Sequence, residues 1–156
     1  MPRIPRIPAP LEWREQEALF TWIQLMTGQE PRFALAHHNA NGEFRTKRTG
    51  AKLQRMGVLP GIPDIHLPIA AWHYQAIGPI PGDHEYYGCW IELKRLTGGE
   101  ATEAQRIIHG LLRLYGHYVA VCHGWVEAAQ VLAWYLHRED LATGALLRVP
   151  LRIPSA

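Results

Sequence analysis

The segments Gly61-Ile62-Pro63-Asp64-Ile65 and Ile91-Glu92-Leu93-Lys94 place two carboxylates and a lysine in one chain. That set suits the hydrolysis of phosphodiesters, because a divalent cation held by carboxylates activates water and offsets charge building on a phosphate. Side chains in a strand alternate faces, so Glu92 and Lys94 project together while Ile91 and Leu93 turn to the opposite side. If the segment at Asp64 pairs with this strand as a hairpin, Asp64 and Glu92 approach closely enough to share one ion. Oxygen ligands favour Mg²⁺ or Mn²⁺ over Zn²⁺, with the backbone carbonyl of Leu93 as a further ligand. Lys94 would orient the attacking hydroxide or stabilise the pentavalent state. Glu-x-Lys alone is more often an exposed face of alternating charge; Gly-x-Pro-Asp ahead of it favours the chemical reading.

Other side chains could complete such a site. Glu12 and Gln16 lie one helical turn apart and point the same way, which makes Glu12 a better third carboxylate than Glu15. Glu12 could equally do no more than complement the dipole of its helix. Thr102-x-x-Gln105 has the form of a capping box, which explains Gln105 structurally, yet a glutamine in that first turn could also reach the attacking water. Arg45, Lys47, Arg48, Lys52 and Arg55 fall in a stretch without an acid, a distribution that suits an anionic partner or a solvated basic loop. Nine histidines include no Cys-x-x-Cys or His-x₃-His spacing, so zinc has little support, though His37 or His38 could contact a phosphate.

The elements that must position these groups follow from periodicity and breakers. Leu11 to Met26 has near-helical apolar spacing and stops at Gly28; Phe33 to Ala36 reads as a strand, and 37–42 as a loop. A short helix precedes Gly57, and Pro60-Gly61-Ile62-Pro63 forces a new element, a strand from Asp64 to Leu67. Pro68 to Gly88 reads as a hairpin excursion leading to a strand over Gly88 to Arg95. Thr102 to Tyr115 is a helix with Ala104, Ile107, Ile108, Leu111, Leu112 and Tyr115 on one face. A strand over His117 to Cys122 and a helix from Trp125 to His137 follow, and the tail from Ala145 to Ile153 could add an edge strand.

At 156 residues and 47% hydrophobic content, one domain with a full core is expected over 1–156, with an extended arm at 1–10 and a tail at 138–156. Two cysteines, neither in a disulfide-like framework, suggest a reducing, cytoplasmic setting. The amino terminus lacks the apolar run of a signal peptide, and no stretch is long enough to span a bilayer, so neither secretion nor a membrane is expected.

The ordered blocks resemble the VRR-NUC domain, a branch of the PD-(D/E)xK nuclease superfamily. They are Glu12-Trp13-Arg14-Glu15-Gln16, Asn41-Gly42-x-x-Arg45, Lys52 to Gly57, Gly61-Ile62-Pro63-Asp64, Ile91-Glu92-Leu93-Lys94, Thr102-Glu103-Ala104-Gln105, and Gly116-His117-Tyr118-Val119 leading to Gly124-Trp125-Val126-Glu127-Ala128. The match spans about residues 11 to 137. The resemblance implies a mixed α/β fold, a restriction-endonuclease-like core with a central mixed sheet flanked by helices, and Mg²⁺- or Mn²⁺-dependent cleavage of DNA. It makes Glu12, Asp64 and Glu92 the acidic metal ligands, Lys94 the catalytic lysine and Gln105 the supporting polar residue. The chain is similar to stand-alone members of viruses and bacteria, structure-specific endonucleases that include homodimers acting on branched DNA such as Holliday junctions. The long excursion between the two motif strands departs from the pattern. A catalytically inert nucleic-acid-binding protein on this fold has no use for Asp64, Glu92 and Lys94 together, and a sequence-specific restriction-type nuclease would need more chain to read bases.

Overall fold

A computed structural model describes residues 12–39, 52–75 and 82–143. The arm at 1–10, the strand expected near Ala145–Ile153, and Arg45, Lys47 and Arg48 lie outside the described residues. Helix α1 (Glu12–Met26) is followed by strands β1 (His37–His38), β2 (Ile65–Leu67), β3 (Ala71–Gln75), β4 (Gly82–Tyr86) and β5 (Cys89–Lys94). Helix α2 (Glu103–Leu114), strand β6 (Tyr118–His123) and helix α3 (Trp125–Tyr135) complete the main elements. The central sheet has the order β1-β2-β5-β6. Its first three strands pair antiparallel, and β5 and β6 run parallel, joined through α2. Strands β3 and β4 form a separate antiparallel ribbon inserted between β2 and β5.

Strand alternation divides the sheet into two chemically different faces. Ile65, Leu67, Cys89, Ile91, Leu93, Tyr118, Ala120 and Cys122 all join the buried core with Leu19, Trp22 and Ile23 of α1 and Ala128, Ala129, Leu132 and Tyr135 of α3. Each such large apolar side chain contributes about 1.5–3 kcal/mol on full burial, so this face supplies most of the cohesion. The alternate positions, His66 on β2 and Trp90, Glu92 and Lys94 on β5, share the other face, where α2 lies. The ribbon docks at the C-terminal end of α3: the Tyr135 hydroxyl donates to the Ile69 carbonyl at 2.7 Å, and His73 Nε2 donates to the Tyr135 carbonyl at 3.0 Å.

Two expectations are corrected. The strand expected at Phe33 to Ala36 is instead a 3₁₀ turn over Pro31–Leu35, because Pro31 fits a first helical turn and the Glu30 carboxylate accepts from Arg32 N–H. The segment at His37 and His38, expected as loop, is the short edge strand β1. The apolar face read on α2 is largely exposed: Ile107, Leu111 and Tyr115 face solvent, together with Leu114, and the buried residue of this helix is His109. Periodicity reports that a helix is amphipathic; it does not report which side another element covers.

Candidate active site

The Pro63-Asp64 step enters β2, and its backbone is held from the edge strand. The Asp64 carbonyl accepts from Asn39 N–H at 2.7 Å and from His38 Nδ1 at 2.9 Å. His38 therefore fixes the main chain of the motif, a role its position next to His37 did not reveal. The half-buried Asp64 side chain turns toward β5, where Oδ2 accepts the Leu93 N–H at 2.9 Å. Leu93 thus meets Asp64 through its amide, while its side chain is in the core.

Glu92, 1% exposed, is the centre of the arrangement. Its Oε1 accepts from the buried Lys94 Nζ at 2.6 Å and from Gln105 Nε2. The i, i+2 spacing on β5 brings the lysine to the glutamate, and the capping box of α2 brings the glutamine. Gln105 closes the cap and also contacts the site. Its Oε1 accepts from Thr102 N–H at 2.8 Å, its own N–H donates to Thr102 Oγ1 at 3.3 Å, and its Nε2 is left free to reach Glu92. Gly61 permits this approach: its φ is +84°, and a Cβ there would lie 2.6 Å from the Ala104 carbonyl oxygen, so the motif turn packs directly on the first turn of α2.

The second oxygen, Oε2 of Glu92, is buried without a hydrogen-bond partner among the described residues. The facing group is His109 Nε2, 3.6 Å away, beyond hydrogen-bond range and likewise unpartnered. His109 was missed in sequence. The signal was its i+4 offset from Gln105, which places it on the same side of α2.

Burial, reinforced by the charges of Glu92 and then Glu12, pushes the Asp64 carboxyl up to about 7, against the Leu93 N–H and Lys94 that favour its ionised form. Glu12 is exposed in the first turn of α1 and acts on Asp64 through its field. Glu15, in contrast, lies on the buried stripe with Leu19, Trp22 and Ile23, and its Oε2 accepts the Trp125 N–H at 2.9 Å. It caps the start of α3, where Gly124 has no side chain to do so. Glu15 is thus engaged in a cap, whereas Glu12 is exposed.

Crowded carboxylates and an orphaned buried oxygen fit a hard divalent cation, which Asp64 and Glu92 would hold with Glu12 nearby. Among the described residues no three such side chains already converge on one point. Lys52 and Arg55 sit exposed on a short helical turn at 52–55. Among the described residues no helix is long and apolar enough to cross a membrane.

The fold matches a solved structure described as a VRR_NUC domain protein, with 24% identity and a TM-score of 0.63, covering 84% of this chain and 92% of that one. The chain therefore has a VRR-NUC fold, as the resemblance of its motif blocks implied. No family model matches the chain, and no curated protein does.

Proposed function

We propose that the protein is a divalent-metal-dependent endodeoxyribonuclease that cuts branched DNA, Holliday junctions among its substrates. The observation that carries this reading is Glu92: a carboxylate 1% exposed, held on one oxygen by Lys94 and Gln105 and unpartnered on the other among the described residues, beside an Asp64 whose ionisation is opposed. Mg²⁺ or Mn²⁺, when bound, supplies positive charge against the scissile phosphate and acidifies a water. Asp64, just before β2, and Glu92 on β5 would hold the ion, with Glu12 adding negative charge from α1 and the Leu93 carbonyl as a further candidate ligand. The Lys94 ammonium, fixed by Glu92, donates toward the negative charge that develops as water attacks phosphorus and the P–O bond breaks. Gln105 keeps Glu92 oriented.

Lys52 and Arg55, with Arg45, Lys47 and Arg48, offer the sugar-phosphate backbone a basic segment suited to recognition by shape. A homodimer would present two such sites to a symmetric junction. The exposed apolar row Ile107, Leu111, Leu114 and Tyr115 on α2 is the surface that supports it.

The test is cleavage of linear duplex, flap, splayed-arm and four-way-junction DNA with Mg²⁺, Mn²⁺ or EDTA, beside Asp64→Ala and Lys94→Ala. Metal-dependent cutting of branched substrates, reduced at least about a hundredfold in both variants, is expected. Activity that persists in EDTA or in both variants would sink the mechanism, and binding without cleavage in every metal would show an inert binder.

A further inference from the structure

On the same sheet face as Glu92, the structure gathers a second set of donors that the cleavage chemistry does not use. The His66 ring stacks on Trp90 with centroids 3.8 Å apart and 11° between planes, and meets His117 edge-on at 6.5 Å. His66 Nε2 and His117 Nδ1 are both buried and have no hydrogen-bond partner among the described residues. Both converge on the point where a Gly88 side chain would begin. A Cβ on that glycine would lie 3.0 Å from His66 Nε2, 3.2 Å from His117 Nδ1 and 3.4 Å from the Leu67 carbonyl oxygen. The backbone at Gly88 does not have the positive φ that would itself call for glycine. A methyl group there would crowd both nitrogens and the Leu67 carbonyl oxygen, which already accepts the Ile69 N–H at 2.9 Å.

A buried polar atom without a partner is costly, so two of them converging beside one glycine mark a place for a third body. We propose that His66 and His117, with the Leu67 carbonyl, form a second metal site, one for a borderline divalent cation such as Zn²⁺, Co²⁺ or Ni²⁺. Imidazole nitrogen selects these ions, whereas the carboxylates around Asp64 select Mg²⁺ or Mn²⁺. Binding requires both rings to turn until each nitrogen reaches the usual Zn–N length of about 2.0–2.1 Å. The stacked indole of Trp90 limits the plane in which His66 turns. The two histidines come from β2 and from the entry to β6, which do not pair with each other but flank β5. An ion here ties those two segments across Gly88. Sequence spacing could not show this, because the ligands meet only through the sheet.

The test is titration of the full-length chain with Co²⁺ and then Zn²⁺ in excess Mg²⁺, with Asp64→Ala as the background so that the carboxylate site does not take the ion. One equivalent of Co²⁺ with a visible ligand-field band, displaced by Zn²⁺, is expected. Binding should weaken at least tenfold in His66→Gln, His117→Gln and Gly88→Ala, the last crowding both nitrogens without removing a ligand. Zn²⁺ should also raise the melting temperature of the parent but not of these variants. If His66→Gln shows no cooperative melt in EDTA, the other two variants decide. No tight cation in the parent, leaving an ordered water between the nitrogens, would overturn the proposal. Affinity unchanged by His117→Gln or Gly88→Ala would do the same.

Discussion

Asp64 sits where its negative charge is opposed by burial and by Glu92 and Glu12, so its folded pKa, near 7, lies above the ordinary carboxylate value. The sign follows directly: the folded state favours the protonated form, so stability is highest below the unfolded pKa and declines as pH rises from about 4 to 7. Asp64→Asn, which keeps an acceptor for the Leu93 N–H, should therefore stabilise the metal-free protein. The gain should be on the order of 1–2 kcal/mol at pH 8 and shrink toward pH 4, read from melting temperatures in EDTA. A gain independent of pH would show that ionisation is not its source. At this scale Asp64, Glu92 and Lys94 were legible because strand alternation and two short motifs suffice to put them on one face. His38 and His109 were not. One acts through a main-chain carbonyl and the other through a helix face whose orientation only the packing decides.

The helices carry the next set of consequences. Glu15 reaches from α1 to the first N–H of α3, so Glu15→Ala should leave a buried donor unpartnered and cost about 1–3 kcal/mol. Chemical denaturation measures that loss, and Glu15→Gln, which retains an acceptor oxygen, should recover much of it. Gly61 lets the motif turn touch the start of α2. Gly61→Ala should destabilise by at least about 2 kcal/mol, about 1–2 of it from the left-handed backbone alone, and should lower cleavage more than the unfolded fraction explains. Cleavage that merely tracks the folded fraction would show that the approach of α2 does not matter for the site. The helix boundaries and the pairing of β2 with β5 could be read from breakers and alternation. The segment from Pro31 to His38 could not, because a local cap from Glu30 and an edge pairing with β2 outweigh the apolar character of Phe33 to Ala36.

At the scale of the whole molecule, one sheet face is cohesive and the other chemical, and α2 is the element that closes the chemical side. Its outer surface leaves Leu114 75% and Tyr115 71% exposed, an apolar row that a dimer would cover. Leu114→Glu should convert a dimer to a monomer by light scattering at micromolar concentration, with little loss of fold by circular dichroism; an unchanged mass would exclude this face as the contact. The sequence pattern marks an apolar face on this helix but lacks the information that distinguishes a core from a contact between chains. The amide of Gln105 has a consequence of another kind. It closes the helix cap with its oxygen and holds Glu92 with its nitrogen, so fraying of the first turn of α2 releases the glutamate in the same event. Solvent exchange at the Gln105 amide proton, which donates to Thr102, therefore reads the integrity of the site: Glu92→Ala should speed it by about the factor that loss of one buried hydrogen bond allows, roughly five- to tenfold. The opening of one helical turn thereby becomes a clock for how often the carboxylate is let go.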